Sequence, residues 1–169
     1  IALPIKVQNG GLFISRGVGR HPARKLSSWE IIFVEKGTLT IQEENTLFEV
    51  NAGESLLLWP KRRHVGVDDF PGDLKFYWLH FEVDERLPAL PGASPLSIEQ
   101  HCSVRDPQYV IALFRQFLSE QEKLQRSQAL EIILLLILQQ ISLSPGYEDK
   151  ADDAGAAMAW KAKQLIRTH

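Results

Sequence analysis

The chain has 169 residues, 44% hydrophobic and 24% charged, a composition that fits a soluble globular protein with one good core, or one core plus an appendage. Its formal net charge of -2 argues against a domain that binds nucleic-acid phosphates by itself. A single cysteine, Cys102, rules out an internal disulfide and fits a reducing cytoplasm, and no Cys/His cluster has zinc-finger spacing.

The first residues, Ile1-Ala2-Leu3-Pro4-Ile5-Lys6, have no basic segment leading into a long apolar stretch, so no signal peptide is expected. The only methionine is Met158, and the chain is expected to be a piece of a longer protein. The first half then reads as strands. Glu30 to Glu35 is β-branched and aromatic and turns at Lys36-Gly37. Thr38 to Gln42 and Thr46 to Val50 alternate polar and apolar residues around Glu43-Glu44-Asn45. Asn51-Ala52-Gly53-Glu54 turns into Ser55 to Trp59, which stops at Pro60. A charged loop leads to Leu74–Val83, where Phe76, Trp78 and His80 share one strand face and Tyr77, Leu79 and Phe81 the other. Both faces are bulky, so neither is expected to be wetted. Short strands with Gly-centred turns predict an antiparallel barrel or sandwich from about residue 10 to 85.

After that the period changes. Asp106-Pro107 starts a helix, with Asp as N-cap and Pro in the first turn. Val110, Leu113, Phe114, Phe117 and Leu118 follow at helical steps, predicting a helix near 106–125. A second helix is expected near 127–144. Its centre, Ile132 to Leu138, is apolar all round, so it must be covered on more than one side; it is also too short to cross a bilayer. Leu134, Leu135 and Leu138 are the candidate dimerisation residues, with a second subunit as the cover. Residues 145–155 read as a linker, and a third helical pattern runs over 156–169.

The order and spacing of these segments resemble a known family. Glu30 and Gly37 fit the Glu-x6-Gly part of the first cupin motif, and Gly53, Pro60 and His64 fit the second loosely, with the His one residue early. Arg20 to Arg24, Phe33 to Gly37, Val50 to Pro60 with His64, and Tyr77 to Phe81, followed by the two helices, the linker and Trp160 to His169, resemble the N-terminal domain of AraC-type transcription regulators. The resemblance implies an α+β, mainly β fold: an antiparallel cupin-like (double-stranded β-helix) barrel over 1–95, a helical dimerisation segment over 96–144, the 145–155 linker, and the start of a truncated DNA-binding domain over 156–169. It also implies a non-enzymatic, cytoplasmic module that binds a small-molecule effector, forms a homodimer, and meets DNA only through a C-terminal helix-turn-helix domain that would follow His169.

Trp78 matches a tryptophan on which a sugar-sensing member of the family stacks its ligand; the alternative is a core tryptophan. His64 matches a pocket position, with a loop-end histidine satisfied by backbone as the alternative. Arg20 and Arg24 compete for the family's pocket arginine, which could hold an anionic or polyhydroxyl ligand bidentately. Glu30 and His80 complete the candidate ligand-binding set; for His80 the alternative is a structural histidine. Lys61-Arg62-Arg63 reads as a solvated turn that could draw an anion to the barrel mouth. No nucleophile–base–orienter set is visible around Cys102, so no catalytic residue is assigned. Metal-dependent cupins need about three or four imidazole and carboxylate ligands. The motif positions keep only Glu30 and His64, so neither a metal nor another cofactor is expected. The rival readings are a metal-free cupin enzyme, such as a sugar epimerase or isomerase, and a structural dimerisation domain with a packed-shut barrel.

Overall fold

The computed structural model describes residues 3–84, 96–125 and 127–143. The linker and third helix expected beyond residue 144 lie outside the described residues.

Among the described residues, nine strands and two helices follow in order: β1 (Ile5–Ile14), β2 (Arg24–Lys25), β3 (Trp29–Lys36), β4 (Thr38–Glu43), β5 (Thr46–Asn51), β6 (Glu54–Leu58), β7 (Arg63–Gly66), β8 (Lys75–Val83), β9 (His101–Ser103), α1 (Pro107–Gln121) and α2 (Ala129–Ser142). Every strand pair is antiparallel: β4 with β5, β3 with β6, β2 with β7 and β1 with β8. The first eight strands thus form one nested hairpin, rolled so that alternate layers fall into two sheets, β1-β8-β3-β6-β9 and β2-β7-β4-β5. This is the rolled antiparallel architecture of jelly-roll and cupin-like folds.

The bulky double-faced strands have a simple cause: both faces are covered. Ile32 and Val34 of β3, Leu56 and Leu58 of β6, and Phe76 and Trp78 of β8 point into the barrel and pack with Ile41 and Val50 of the other sheet. The alternate residues Ile31, Phe33, Leu57, Tyr77 and Leu79 point outward into a second core beneath the helices. There Phe114 stacks on Tyr77 with ring centroids 5.0 Å apart.

Helix α1 starts as its sequence demands, with the Asp106 carboxylate accepting from the Tyr109 N–H at 3.0 Å and Pro107 in the first turn. Its last residue, Gln121, bonds both the N–H and the carbonyl of Gly10, at 2.8 and 3.0 Å. Glu131 of α2 accepts from the Val7 N–H at 3.2 Å. Strand β1 is a sheet edge, and these two side chains occupy backbone groups that an open edge would offer to another chain.

Two differences from the sequence reading concern extent. The sheet begins at Ile5 rather than near residue 10 and recruits β9, which pairs with β6 through Leu56↔His101 and Glu54↔Ser103. The strand system therefore runs past residue 95. The other difference concerns α2. Leu134 and Leu138, expected at a subunit interface, lie inside their own chain's core, Leu134 with no exposure at all. The outward face of α2 carries Ile132, 51% exposed, with Leu135 and Leu136 half-buried beside it. Among the described residues no helix is long and apolar enough to cross a membrane.

Candidate functional site

A cavity of about 210 Å³ opens at one end of the barrel, lined by Phe13, His21, Pro22, Arg24, Glu30, Phe70, Phe76, Trp78 and His80. Its floor is set by strand register. Glu30 stands opposite His80, and Ile32 opposite Trp78, across β3 and β8. On the far side of Trp78 is Gly11 of β1. A Cβ there would stand 2.6 Å from the indole, so the glycine leaves the space the ring occupies. Phe13, Phe70 and Phe76 close the apolar wall, with Phe13–Phe70 and Phe13–Phe76 centroids 4.6 and 4.8 Å apart.

The polar wall is more unusual. The short strand β2 puts Arg24 opposite His64 of β7. Just before β2 the chain runs against β7, the Gly66 N–H donating to the His21 carbonyl at 2.9 Å. A Cβ at Gly66 would meet the His21 backbone nitrogen at 2.5 Å. Only a residue without a side chain lets this segment lie so close. His21 then stands edge-on to His64, ring centroids 5.3 Å apart. His64 Nε2 is 3.7 Å from Glu30 Oε2, and His80 Nε2 is 3.8 Å from Glu30 Oε1. Three imidazoles thus surround one carboxylate, and all four groups are buried.

Burial controls their ionisation. It pushes the Glu30 carboxyl up to about 7 against the opposing pull of the Arg24 guanidinium. It pushes His64 and His80 down to about 4, helped by the positive charge of Arg24 and by the neighbouring imidazoles. His21 is also lowered by burial, partly offset by the Pro22 carbonyl. At neutral pH the rings are neutral, each offering one donor and one acceptor nitrogen.

Of the sequence-derived candidates, Trp78, Arg24, Glu30 and His80 line the cavity. His64 is 1% exposed and sits behind the lining, against Glu30 and His21. Arg20 is outside: it is 57% exposed and paired with Asp69 at 3.0 Å. Of the two arginines, Arg24 and not Arg20 lines the cavity. Arg62 of the basic run reaches back to Glu43 at 3.4 Å and covers the Trp59 ring at 4.6 Å. Cys102 is buried in the helix-side core, and burial raises its thiol, a structural and not a nucleophilic setting. The residue that sequence reasoning missed is His21. Counting only motif positions gave two possible metal ligands, Glu30 and His64, whereas the fold brings a third, His21, to them. A second recess, about 360 Å³, lies between β1 and the start of α2 but is more open. Its one buried carboxylate, Glu131, already accepts from Val7.

The geometry defines a class: a rolled antiparallel barrel with a small mixed apolar and polar cavity at one end and a helix pair on its back. Residues 15–138 match the family model of the AraC-like ligand binding domain, and the chain belongs to that family. It is similar to YisR, an uncharacterized HTH-type transcriptional regulator of Bacillus subtilis (strain 168), with 38% identity over 77 residues, 42% of this chain and 27% of that protein. The matched stretch thus spans about a quarter of that relative's length. Among solved structures, a cupin protein from Bacteroides fragilis is 16% identical, covering 56% of this chain and 81% of its own, with a TM-score of 0.39. A putative mannose-6-phosphate isomerase from Ralstonia eutropha JMP134 is also 16% identical, covering 48% of this chain and 75% of its own, with a TM-score of 0.35.

Proposed function

We propose that this domain is the effector-sensing module of a cytoplasmic transcription regulator and that it performs no catalysis itself. The observation that carries the reading is the cavity built on Trp78 and Arg24. Its volume lies below the roughly 300–1,000 Å³ usual for drug-sized ligands, which suits a small polar molecule such as a monosaccharide or a short hydroxy acid. An apolar sugar face stacks on an indole. The Arg24 fork and the neutral imidazole of His80 supply oriented donors.

Strand β8 offers the route outward, because Trp78 faces the cavity while its neighbours Tyr77 and Leu79 pack under the helices. An effector that favours one arrangement of this strand shifts the population of helix positions in proportion to its differential affinity. A second copy docks along the Ile132, Leu135 and Leu136 face of α2, and DNA is contacted through a separate helix-turn-helix domain of the parent protein. The net charge of -2 supports leaving DNA contact to that other domain.

The test is calorimetric titration with a panel of pentoses, hexoses and short hydroxycarboxylates, comparing wild type with Trp78→Ala and following unfolding in parallel. At least one probe is expected to bind wild type and to bind the variant about tenfold more weakly, the worth of one good stacking contact. Equal affinity in both proteins would leave Trp78 as barrel filling. No binding by any probe would favour the packed structural domain.

A further inference from the structure

Among the described residues, three buried side-chain atoms at the heart of the barrel have no hydrogen-bond partner. Glu30 Oε2 and both ring nitrogens of His64 are buried and unbonded, and buried polar atoms in that condition are rare in native proteins. Their separation is informative. At 3.7 Å, His64 Nε2 and Glu30 Oε2 are too far apart for a hydrogen bond. Two donors bound to one metal ion, at about 2.0–2.2 Å each, lie up to ~4 Å apart. His21 adds a second imidazole, and one donor atom from each of His21, Glu30 and His64 falls within 4.8 Å of the others. His21 Nδ1 lies 3.1 Å from the Pro22 carbonyl, which can only accept, so Nδ1 carries the proton. The lone pair is then on Nε2. Metal-ligating histidines are oriented in this way, with the other ring nitrogen donating to a carbonyl or carboxylate.

We propose that His21, Glu30 and His64 bind one divalent first-row transition-metal ion. Two imidazoles and a carboxylate suit zinc, iron, cobalt, nickel or manganese, and no thiolate is involved, since Cys102 belongs to the core on the other side of the sheet. Three protein ligands leave coordination positions open. Glu30 and His21 also line the cavity, so the site borders the space beside Arg24 and Trp78. His80 stands by the second Glu30 oxygen at 3.8 Å, with its Nδ1 3.4 Å from the Ser28 hydroxyl. The ion fills the gap that Glu30 and His64 leave between them, and the site stands whether or not the cavity takes an effector.

The experiment is titration of the untagged, chelator-treated full chain with Co²⁺, read by visible absorption, then displacement with Zn²⁺. One equivalent of Co²⁺ is expected to bind. Glu30→Gln and His64→Gln, each close in shape to the residue it replaces, are expected to weaken binding at least about tenfold; far-UV circular dichroism and thermal unfolding verify that both fold. Gly66→Ala touches no donor atom but displaces His21, and is expected to weaken binding about 10–100-fold, as loss of ligand orientation does. Cys102→Ser is expected to leave binding unchanged. Less than about a tenth of an equivalent on wild type would overturn the site, leaving water between Glu30 and His64. So would Co²⁺ affinity unaltered by Glu30→Gln and His64→Gln.

Discussion

Gly11 and Trp78 form one unit across β1 and β8: the ring sits where a side chain on its neighbour would be. Gly11→Ala is therefore expected to cost about 1–3 kcal/mol by overpacking and to tilt the indole, weakening effector binding in the same protein. Urea unfolding beside calorimetry checks both, and unchanged effector affinity would show that the indole does not need its present seat. Glu54 is one contributor to the acid response. Burial alone would raise the Glu54 carboxyl, but the Asn51 N–H at 2.8 Å and His101 Nε2 at 2.9 Å outweigh it and hold it below its ordinary value of 4.5. A depressed carboxyl contributes stability above its unfolded value and loses it as pH falls through the folded one. The stability gap between wild type and Glu54→Gln is expected to narrow below about pH 4.5; a gap constant from neutral pH to pH 3 would show that this pair contributes nothing. Strand alternation puts Trp78 and His80 on one face and the Glu-x6-Gly spacing singles out Glu30, whereas the sequence leaves Arg24 level with Arg20. His21 could not be found from the sequence, because it lies in an irregular segment, and what places it, a glycine forty-five positions away on β7, leaves no periodic mark in the chain.

Elements were legible in proportion to their length and regularity. The alternation of β4 and β5, the turn residues between them, and the Asp106-Pro107 helix start each carry a local physical cause. β2 and β9 have two and three residues and no pattern of their own; tertiary pairing alone makes them strands. Helix α2 shows a subtler limit. Its all-round apolar centre signals burial on several sides without saying which neighbour covers each. The sheet and α1 take Leu134 and Leu138, leaving Ile132, Leu135 and Leu136 outward. The two faces separate by mutation. Leu134→Ala is expected to cost about 2–5 kcal/mol of stability through a core cavity. Ile132→Glu should change stability by less than about 0.5 kcal/mol, as exposed substitutions do, while shifting any dimer toward monomer. Sedimentation velocity with parallel denaturant unfolding distinguishes them; a purely monomeric wild type at micromolar concentration would remove α2 as a docking face.

At the scale of the whole molecule, the rolled barrel with two helices behind it could be inferred from order and spacing, because eight strands nested as one hairpin impose a regular rhythm of turns. What spacing does not reveal is how far the sheet reaches beyond that hairpin. Leu57 N–H bonds the Gln100 carbonyl at 2.7 Å, and Ser55 pairs with Cys102. The chain therefore returns, after the barrel has closed, to seal the side of β6 left bare. A protein ended after residue 95 would keep every strand of the nested hairpin yet lose this seal. It would also uncover Phe33, Leu57 and Tyr77, which the helices now shield. Unpaired backbone groups beside an apolar sheet face are a template for pairing with other molecules. Such a shortened protein is expected to form large aggregates on light scattering, while one ended after residue 143 stays dispersed. A monodisperse, folded product from the shorter gene would show that the barrel needs no latch; otherwise the helix pair is the clasp that keeps an adhesive sheet from its neighbours.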